Sequence, residues 1–318
     1  MSPDLRRRAG RPGAVPALAS GLGAAARNAR LLIWLLIANV ALAVAGVWPL
    51  LRPFEESLEW HPAAGEMMRR FDMAWWVDLT TAHAEAFART IELAGLVAFL
   101  SVLTGCFFSG GLLQAYDDTF EGRRMDRFLQ GCRRWFPRFL RLFVFSLPLY
   151  WLVHRVANFH LAFVVDDLLE EVDDERVGIA LMLAKSVLFL LLFNTVTLCV
   201  AYARAHAIVT SSRSMLVSLR AGILFVLRHP IRVWSLEGLA ILLQTGALMI
   251  YLPVDALFTR NGAAGLMAGV IAGQFFILAR LFLREGARAG HLALFRARSA
   301  GPAGVAAAPV ERADQAAA

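Results

Sequence analysis

The sequence predicts an all-α, polytopic membrane protein with six transmembrane helices and two cytoplasmic interfacial amphipathic helices. Two observations support this fold class: six long apolar runs, and a charge that alternates in sign between them. Most of the runs contain enough residues to cross a hydrocarbon layer of about 30 Å at about 1.5 Å per residue. In this 318-residue chain they are Leu31–Leu51, Leu93–Tyr116, Phe139–Val156, Val177–Tyr202, Val233–Pro253 and Ala263–Leu283. The runs are apolar on all faces, whereas the helices of a soluble protein carry polar stripes.

The segments that connect the runs alternate between basic and acidic. Arginine predominates before the first run, after the second, after the fourth and after the sixth, whereas acids predominate after the first and third. Basic residues are retained on the cytoplasmic face during membrane insertion. The pattern therefore predicts six crossings with both termini in the cytoplasm. The segment after the second run contains Arg123, Arg124, Arg127, Arg133, Arg134, Arg138 and Arg141.

The net charge of +7 does not by itself identify a partner, but the position of the positive charge favours membrane lipids over nucleic acid. The excess arginine lies beside the apolar runs, where anionic head groups attract it, and no zinc-finger or RNA-binding signature accompanies it. Lys185 is the only lysine, which is typical of a GC-rich bacterial genome, so we expect the bacterial cytoplasmic (inner) membrane. A membrane-protein partner or homo-oligomer is a further possibility that the sequence leaves open.

Composition divides the chain into three parts. Residues 1–29 are predicted to be a flexible basic cytoplasmic tail, residues 30–298 the six-helix membrane domain, and residues 299–318 a disordered cytoplasmic tail rich in Ala, Gly and Pro. Cys106, Cys132 and Cys199 lie within runs or in a cytoplasmic segment, so no disulfide framework is expected.

Two cytoplasmic segments, Met125–Phe143 and Ser212–Arg228, have apolar residues at helical spacing and arginines on another face. Both are predicted to lie at the inner membrane interface as amphipathic helices and then to turn into the next span. Pro137 is expected to kink or break the first helix, and His229-Pro230 marks the turn after the second. The candidate residues for binding anionic lipid are Arg127, Arg134, Arg138, Arg213, Arg220 and Arg228.

The two segments also indicate an internal repeat. Each consists of a basic amphipathic helix with a glycine, Gly131 or Gly222, followed by a proline and an ascending span. Ala17–Arg30, which precedes the first span, is a possible third and degraded copy. Such repeats occur in transporters and also in membrane proteins that transport nothing.

The outer segments are interpreted as surface structure. Met67–Phe87 is predicted to form a helix that Trp75 and Trp76 anchor at the membrane interface. The acidic segment Val165–Val177 lacks the glycine and the alternating oxygen ligands of a calcium-binding loop, so it is interpreted as a solvated acidic face.

Ionisable residues inside a membrane are candidates for function because their burial is costly. Glu92 and Lys185 lie towards the outer face and are a possible pair. Glu237 and Arg280 lie near the inner face at similar predicted depth, and an ion pair between them is expected. The alternatives are snorkelling with helix–helix pairing, or a path for protons or substrate.

Neutral polar residues lie deeper in the predicted spans: Asn39, Asn194, Gln244 and Gln274. Each can hydrogen-bond between helices for about 0.6 kcal/mol. A row of Asn194, Gln244 and Gln274 along one cavity would instead indicate transport.

Gly265, Gly269 and Gly273 recur every fourth residue in the sixth run. This spacing places small residues on one helix face and predicts close helix packing, either within the chain or between two protomers.

No pattern typical of a catalytic, metal or cofactor site was found. The leading hypothesis is a non-enzymatic membrane component that binds anionic lipid or a protein partner through its two basic helices, and no cofactor is expected. The alternative is a small-solute or lipid transporter that uses the polar residues of the last three spans.

Several short motifs together resemble a family of bacterial six-span inner-membrane proteins of uncharacterised function. The motifs lie at Phe71–Trp76, Gly110-Gly111, Phe136–Leu142, Ala203-Arg204 and Gln274–Arg280. This resemblance covers most of Gly21–Arg296. The alternation of amphipathic helix and span is also distantly similar to the membrane domain that accompanies some glycerophosphodiester phosphodiesterases. Neither resemblance implies a substrate or a catalytic residue.

Overall fold

Long apolar helices make up the fold, and the prediction of an all-α multi-pass membrane protein is confirmed. The computed structural model describes residues 13–59, 73–117, 123–161, 163, 167–168, 174–258 and 263–299. Within these ranges six helical segments are long and apolar enough to span a membrane. They are Ala29–Glu56, Ala84–Ala115, Met125–His160, Arg176–Thr210, Pro230–Leu257 and Ala264–Ser299.

Helices account for nearly all of the described residues. In chain order they are α1 (Ala14–Arg27), α2 (Ala29–Val47), α3 (Leu51–Glu59), α4 (Met73–Ala82), α5 (Ala84–Ala115), α6 (Arg124–Arg155), α7 (Glu175–Thr210), α8 (Met215–Arg228), α9 (Pro230–Leu257) and α10 (Ala263–Ser299). A 3₁₀ turn at Trp48–Leu50 joins α2 to α3, and a π-helical turn at Val156–His160 continues α6.

Several helices are longer than a membrane requires. Helix α7 has 36 residues and α10 has 37, which corresponds to about 55 Å at 1.5 Å per residue. A hydrocarbon layer is only about 30 Å thick. The surplus lies beyond the predicted ends of the apolar runs, at the end of the bundle that holds α1, the start of α6 and α8. We call this the basic end, and the opposite end the acidic end.

The densely packed core lies at the basic end. Trp135, Phe139, Tyr202 and Leu294 are among the largest fully buried side chains, and all belong to helix segments at this end. Elsewhere along the spans, large apolar side chains are exposed, for example Leu183, Leu191, Leu242, Ile250 and Phe275. Such exposure is stable in lipid and unstable in water. Contacts between helices therefore concentrate at one end, and the rest of the bundle faces lipid.

Three helix pairs at the basic end share one arrangement. In each pair a glycine of the helix that leads into the next span packs against the backbone of its neighbour, so closely that a Cβ atom would overlap it. Gly21 of α1 contacts α10, Gly131 of α6 contacts α5, and Gly222 of α8 contacts α7. The partner residues are Gly286 and Gly290, Gly110 and Gly111, and Cys199 and Ala203, respectively. Each of the three copies of the predicted repeat, including the copy in α1, thus makes the same kind of glycine contact with a neighbouring helix.

The predicted interfacial position of the amphipathic helices is only partly correct. The first is the beginning of α6, which is continuous with the third span and does not end at Pro137. Its apolar face, including Phe128 and Cys132, is buried against protein. The second is the separate helix α8, with Met215 and Val226 buried. Their apolar faces pack on other helices because the long spans reach beyond the membrane and offer apolar surface there.

The boundary of the predicted flexible tail, residues 1–29, is wrong. Ala14–Arg27 forms α1, whose small residues Ala17 and Ala25 are buried against the last helix. The rest of that tail, and residues 300–318 of the C-terminal tail, lie outside the described residues. Helix α10 continues to Ser299.

The glycine stripe of the sixth span was predicted to pack either within the chain or between two protomers, and within the chain two of its glycines make no close backbone contact. A Cβ atom added at Gly269 would meet no atom within 4 Å, and one at Gly273 would meet only the Tyr251 hydroxyl, at 3.6 Å. All three glycines line a cavity between α9 and α10. Packing of this stripe between two protomers stays a prediction.

Aromatic side chains connect α3, α4 and α5. Phe54 lies 5.9 Å from Trp75 and 6.4 Å from Trp76, and Trp76 lies 5.7 Å from Phe87, measured between ring centroids. The helix predicted for Met67–Phe87 is observed as α4 and the start of α5, interrupted at His83. Its residues 67–72, and most of the acidic segment 165–177, lie outside the described ranges.

Replacing Gly222 by alanine should destabilise the protein. The new methyl group would overlap the backbone of α7, and overpacking of this kind costs about 1–3 kcal/mol. The matched control is Gly238→Ala in α9, where nothing lies within 4 Å of the added atom, so improved helix propensity should leave stability equal or higher. Thermal unfolding in detergent measures both. Equal midpoints for the two variants would contradict the close contact.

Candidate functional site

A buried carboxylate with several arginines lies at the basic end. Glu285 of α10 is only 1 % exposed. Its Oε1 accepts a hydrogen bond of 2.6 Å from Arg288 Nη1, and Arg284 Nε lies 3.5 Å away. Arg204 of α7 also lies close enough to interact electrostatically with Glu285. Burying a charge is costly unless an opposite charge compensates it, so this cluster requires its partners.

The cluster is not fully satisfied. The Nε atom of Arg204 is buried and has no hydrogen-bond partner among the described residues, and the same holds for Oε2 of Glu285. The Arg204 guanidinium lies 5.7 Å from the ring centroid of Phe139, which is a cation–π contact. Three guanidinium groups thus surround one carboxylate, and the cluster retains excess positive charge.

A hydrogen-bond chain crosses three helices beside this cluster. His291 of α10 is 2.9 Å from the Tyr202 hydroxyl through Nδ1 and 3.1 Å from Glu237 Oε2 through Nε2. The chain joins α7, α9 and α10. The rings of Phe225 and Phe295 pack at a tilt around the Tyr202 ring, with centroids 4.6 Å and 6.5 Å away. The arrangement holds polar groups inside an aromatic layer.

The expected ion pair between Glu237 and Arg280 is wrong. Arg280 is exposed, and Glu237 contacts His291 instead. The reason is depth: the sixth apolar run was expected to end at Leu283, but α10 continues to Ser299. Arg280 therefore lies eleven residues, or about 16 Å, deeper along the helix than His291.

Other predicted intramembrane candidates do not converge. Glu92 is exposed and Lys185 half-buried, and no ion pair joins them in the described part of the chain. Gln244 donates to the Ala240 carbonyl of its own helix, at 3.2 Å. Gln274 lines the cavity between α9 and α10, of about 320 Å³, together with Tyr251 and Asp255. Asn194 and Gln244 do not line this cavity, so the row that would indicate transport is not formed there.

Arginines also cluster on the surface where α6 meets the segment before α8. The charged side chains that interact with Arg138 are all arginines: Arg134, Arg141 and Arg213. Arg138 donates a 3.5 Å hydrogen bond to the Ser212 carbonyl and lies 5.0 Å from the Trp135 ring centroid. Mutual repulsion makes such a group a natural site for anions. We call these four residues the arginine patch.

A second basic surface lies between α8 and α10. Arg228, His229, Arg298 and Ser299 line a cavity of about 320 Å³ with apolar side chains such as Leu224. Two buried nitrogens of Arg298, Nε and Nη2, lack a hydrogen-bond partner among the described residues. Of the remaining lipid candidates, Arg220 is exposed, whereas Arg127 Nη1 donates to the Asp117 carbonyl at 3.4 Å.

No group of three or more His, Cys, Asp or Glu side chains with metal-binding geometry occurs among the described residues. Burial raises the pKa of the Tyr116 hydroxyl well above its ordinary value, and the nearby negative charge of Glu285 raises it further. This tyrosine is therefore neutral at physiological pH.

Comparison with protein-family models, curated proteins and solved structures finds no match to this chain. The resemblance to bacterial six-span proteins and to the phosphodiesterase-associated membrane domain therefore stays a prediction.

The sequence analysis did not select several residues of the buried site: Tyr202, Arg204, Glu285 and His291. One signal was present, because Glu285 is the only acid between Leu283 and Ser299 in a segment rich in arginine. A lone acid among arginines suggests a partner for them. The ion pair between Asp117 and Arg296, which joins the end of α5 to α10, follows the same pattern.

Glu285→Gln should destabilise the protein strongly. Removing the carboxylate leaves Arg204 and the partly exposed Arg284 and Arg288 without their counter-charge. Breaking a fully buried ion pair costs about 3–5 kcal/mol, and the exposure of two guanidinium groups places the expected loss at or below the lower end of that range. The matched control is Glu85→Gln, because Glu85 and Arg89 are 3.6 Å apart but highly exposed, so their pair contributes little. Thermal unfolding in detergent should show a much lower midpoint only for Glu285→Gln. A midpoint equal to that of the control would show that the cluster is not structural.

Proposed function

We propose that the chain is a non-enzymatic protein of the bacterial cytoplasmic membrane that binds anionic phospholipid at its basic end. The observation that supports this most directly is the arginine patch, in which the described charged residues that interact with Arg138 are Arg134, Arg141 and Arg213. The guanidinium group matches phosphate oxygens in a two-pronged geometry. Clustered guanidinium groups of this kind favour binding of an anion.

Lipid is favoured over a protein partner by position. The patch is formed by α6 and the segment before α8, directly beside the apolar spans that face lipid. Each arginine near an anionic membrane surface contributes about 1 kcal/mol. The cavity of Arg228 and Arg298 supports the same conclusion, since unpaired guanidinium nitrogens lie there next to an apolar wall.

Transport of a small solute or lipid is the second candidate function. It is favoured by the cavity between α9 and α10, where Gln274, Tyr251 and Asp255 bring polar groups to apolar spans. Asn194 and Gln244 do not line this cavity, so it contains only Gln274 of the three polar residues expected along a transport path.

The lipid proposal is tested by neutralising the patch in the variant Arg134→Gln/Arg138→Gln/Arg213→Gln. At about 1 kcal/mol for each arginine, its affinity for phosphatidylglycerol should fall roughly 100-fold. Titration of the purified protein in zwitterionic nanodiscs with increasing phosphatidylglycerol measures the loss. The matched control, Arg52→Gln/Arg89→Gln/Arg176→Gln, removes three exposed arginines at the acidic end.

The control variant should bind phosphatidylglycerol as the unaltered protein does. Equal losses in both variants would show that only net charge matters, and unchanged binding in the patch variant would refute the proposal. Raised salt should weaken binding to the unaltered protein, because the patch is exposed to screening.

The proposed orientation places the basic end in the cytoplasm, following the retention of arginine on that face. A reporter enzyme that is active only in the periplasm should be inactive when fused after residue 318. The same reporter fused to a chain truncated after Phe258 should be active, because five spans precede it. The reverse result would invert the topology.

A further inference from the structure

The bundle contains a cavity of about 460 Å³ that none of the functions above uses. It lies between α5, α6 and α7 and extends to Arg288 of α10. One part of its wall is apolar, formed by Val102, Phe143, Leu147 and Phe193. Volumes in this range, with mostly apolar walls and few polar groups, are typical of small-molecule sites.

The charged groups of the cavity lie at its basic end, where Arg204 and Arg288 line it. Three hydroxyl groups, those of Ser146, Tyr150 and Thr197, occur along its wall. The Tyr150 hydroxyl lies 3.3 Å from Thr197 Oγ1, and the Tyr150 ring packs on Phe193, with the ring centroids 5.1 Å apart. Positive charge is therefore confined to one end of a largely apolar space.

The charge of this region favours an anion. Arg288 is paired with Glu285, but that single carboxylate also faces Arg284 and Arg204. The buried Nε of Arg204 has no hydrogen-bond partner among the described residues. A buried guanidinium nitrogen without a hydrogen bond is costly, and an oxyanion at this position would relieve that cost.

The length of the cavity favours an amphiphile over a free ion. Along α7 its lining extends from Phe193 to Arg204, which is about 16 Å. A phosphate group at Arg204 would leave the apolar part unfilled, whereas an acyl chain would cover Phe143, Leu147 and Phe193. We infer that this cavity binds one anionic lipid, with its phosphate at Arg204 and Arg288 and a chain along the apolar wall.

This lipid is distinct from those at the arginine patch, because none of the four patch arginines lines the cavity. Glycine 105 offers a way to test the difference. Gly105 lines the cavity, and a Cβ atom added there would meet nothing within 4 Å. Gly105→Leu therefore fills the cavity without disturbing a helix contact.

Gly95→Leu is the matched control. Gly95 lies in the same helix, is also exposed and also has open space, but it does not line the cavity. Both variants replace a helical glycine by leucine, so both gain helix propensity. They differ only in whether the new side chain enters the cavity.

Native mass spectrometry of the full chain, titrated with phosphatidylglycerol after delipidation, measures the bound lipid. We expect one tightly retained molecule per chain, with at least tenfold weaker retention in Gly105→Leu and in Arg204→Gln, and unchanged retention in Gly95→Leu. The patch variant Arg134→Gln/Arg138→Gln/Arg213→Gln should keep this molecule while it loses weaker binding. Thermal midpoints establish that each variant is folded.

Four outcomes would overturn the inference. One is retention by Gly105→Leu equal to that of Gly95→Leu. Another is equal retention of phosphatidylcholine, which would remove the role of net negative charge. The third is displacement of the lipid by inorganic phosphate at similar concentration, which would show that a free anion is the ligand. Loss of the tight molecule in the patch variant alone would assign it to the surface instead, and would support the proposed function while refuting the interior site.

Discussion

Close backbone contact at the basic end is the constraint on which the rest of the structure depends. Apolar helices in lipid gain little from burying apolar surface against one another, so they need direct packing to associate. Gly21, Gly131 and Gly222 provide it, because each permits a neighbouring helix to approach without a Cβ atom between them. These three contacts hold the helices together at the basic end, while large side chains along the rest of the spans remain exposed to lipid.

That packing also determines where charge can be buried. With the helix ends held together, Glu285, Arg204 and Arg288 lie in a protein interior instead of water, and Tyr202, His291 and Glu237 form one hydrogen-bond chain. The compensation is incomplete, since one carboxylate faces three guanidinium groups. The same excess occurs at the surface around Arg138 and between Arg228 and Arg298. An excess of positive charge over its partners among the described residues is thus the common property of the basic end, and this property underlies our proposal that lipid phosphate binds there.

Much of this architecture was predictable from local patterns. Six runs of apolar residues correspond to six observed candidate spans, because length and composition alone determine whether a helix can cross lipid. The spacing of Phe128, Cys132 and Trp135 identified an apolar face that the structure buries. The pairing of Glu237 was not predictable in this way. It depended on where α10 ends. The charged residues after Leu283 end the apolar run, whereas the helix continues for sixteen further residues, to Ser299.

The sequence by itself determined the class of protein, the number of spans and the end at which arginine accumulates, since each follows from composition within a short window. The tertiary structure decided which helices touch and which charges meet. Residues expected to form a flexible tail form the packed helix α1, and the face of α10 at Gly269 is open. Arg204 of α7 lines a cavity together with residues of α5, α6 and α10. Such contacts join residues that are distant along the chain, and their geometry depends on helix length and register, which no local pattern encodes.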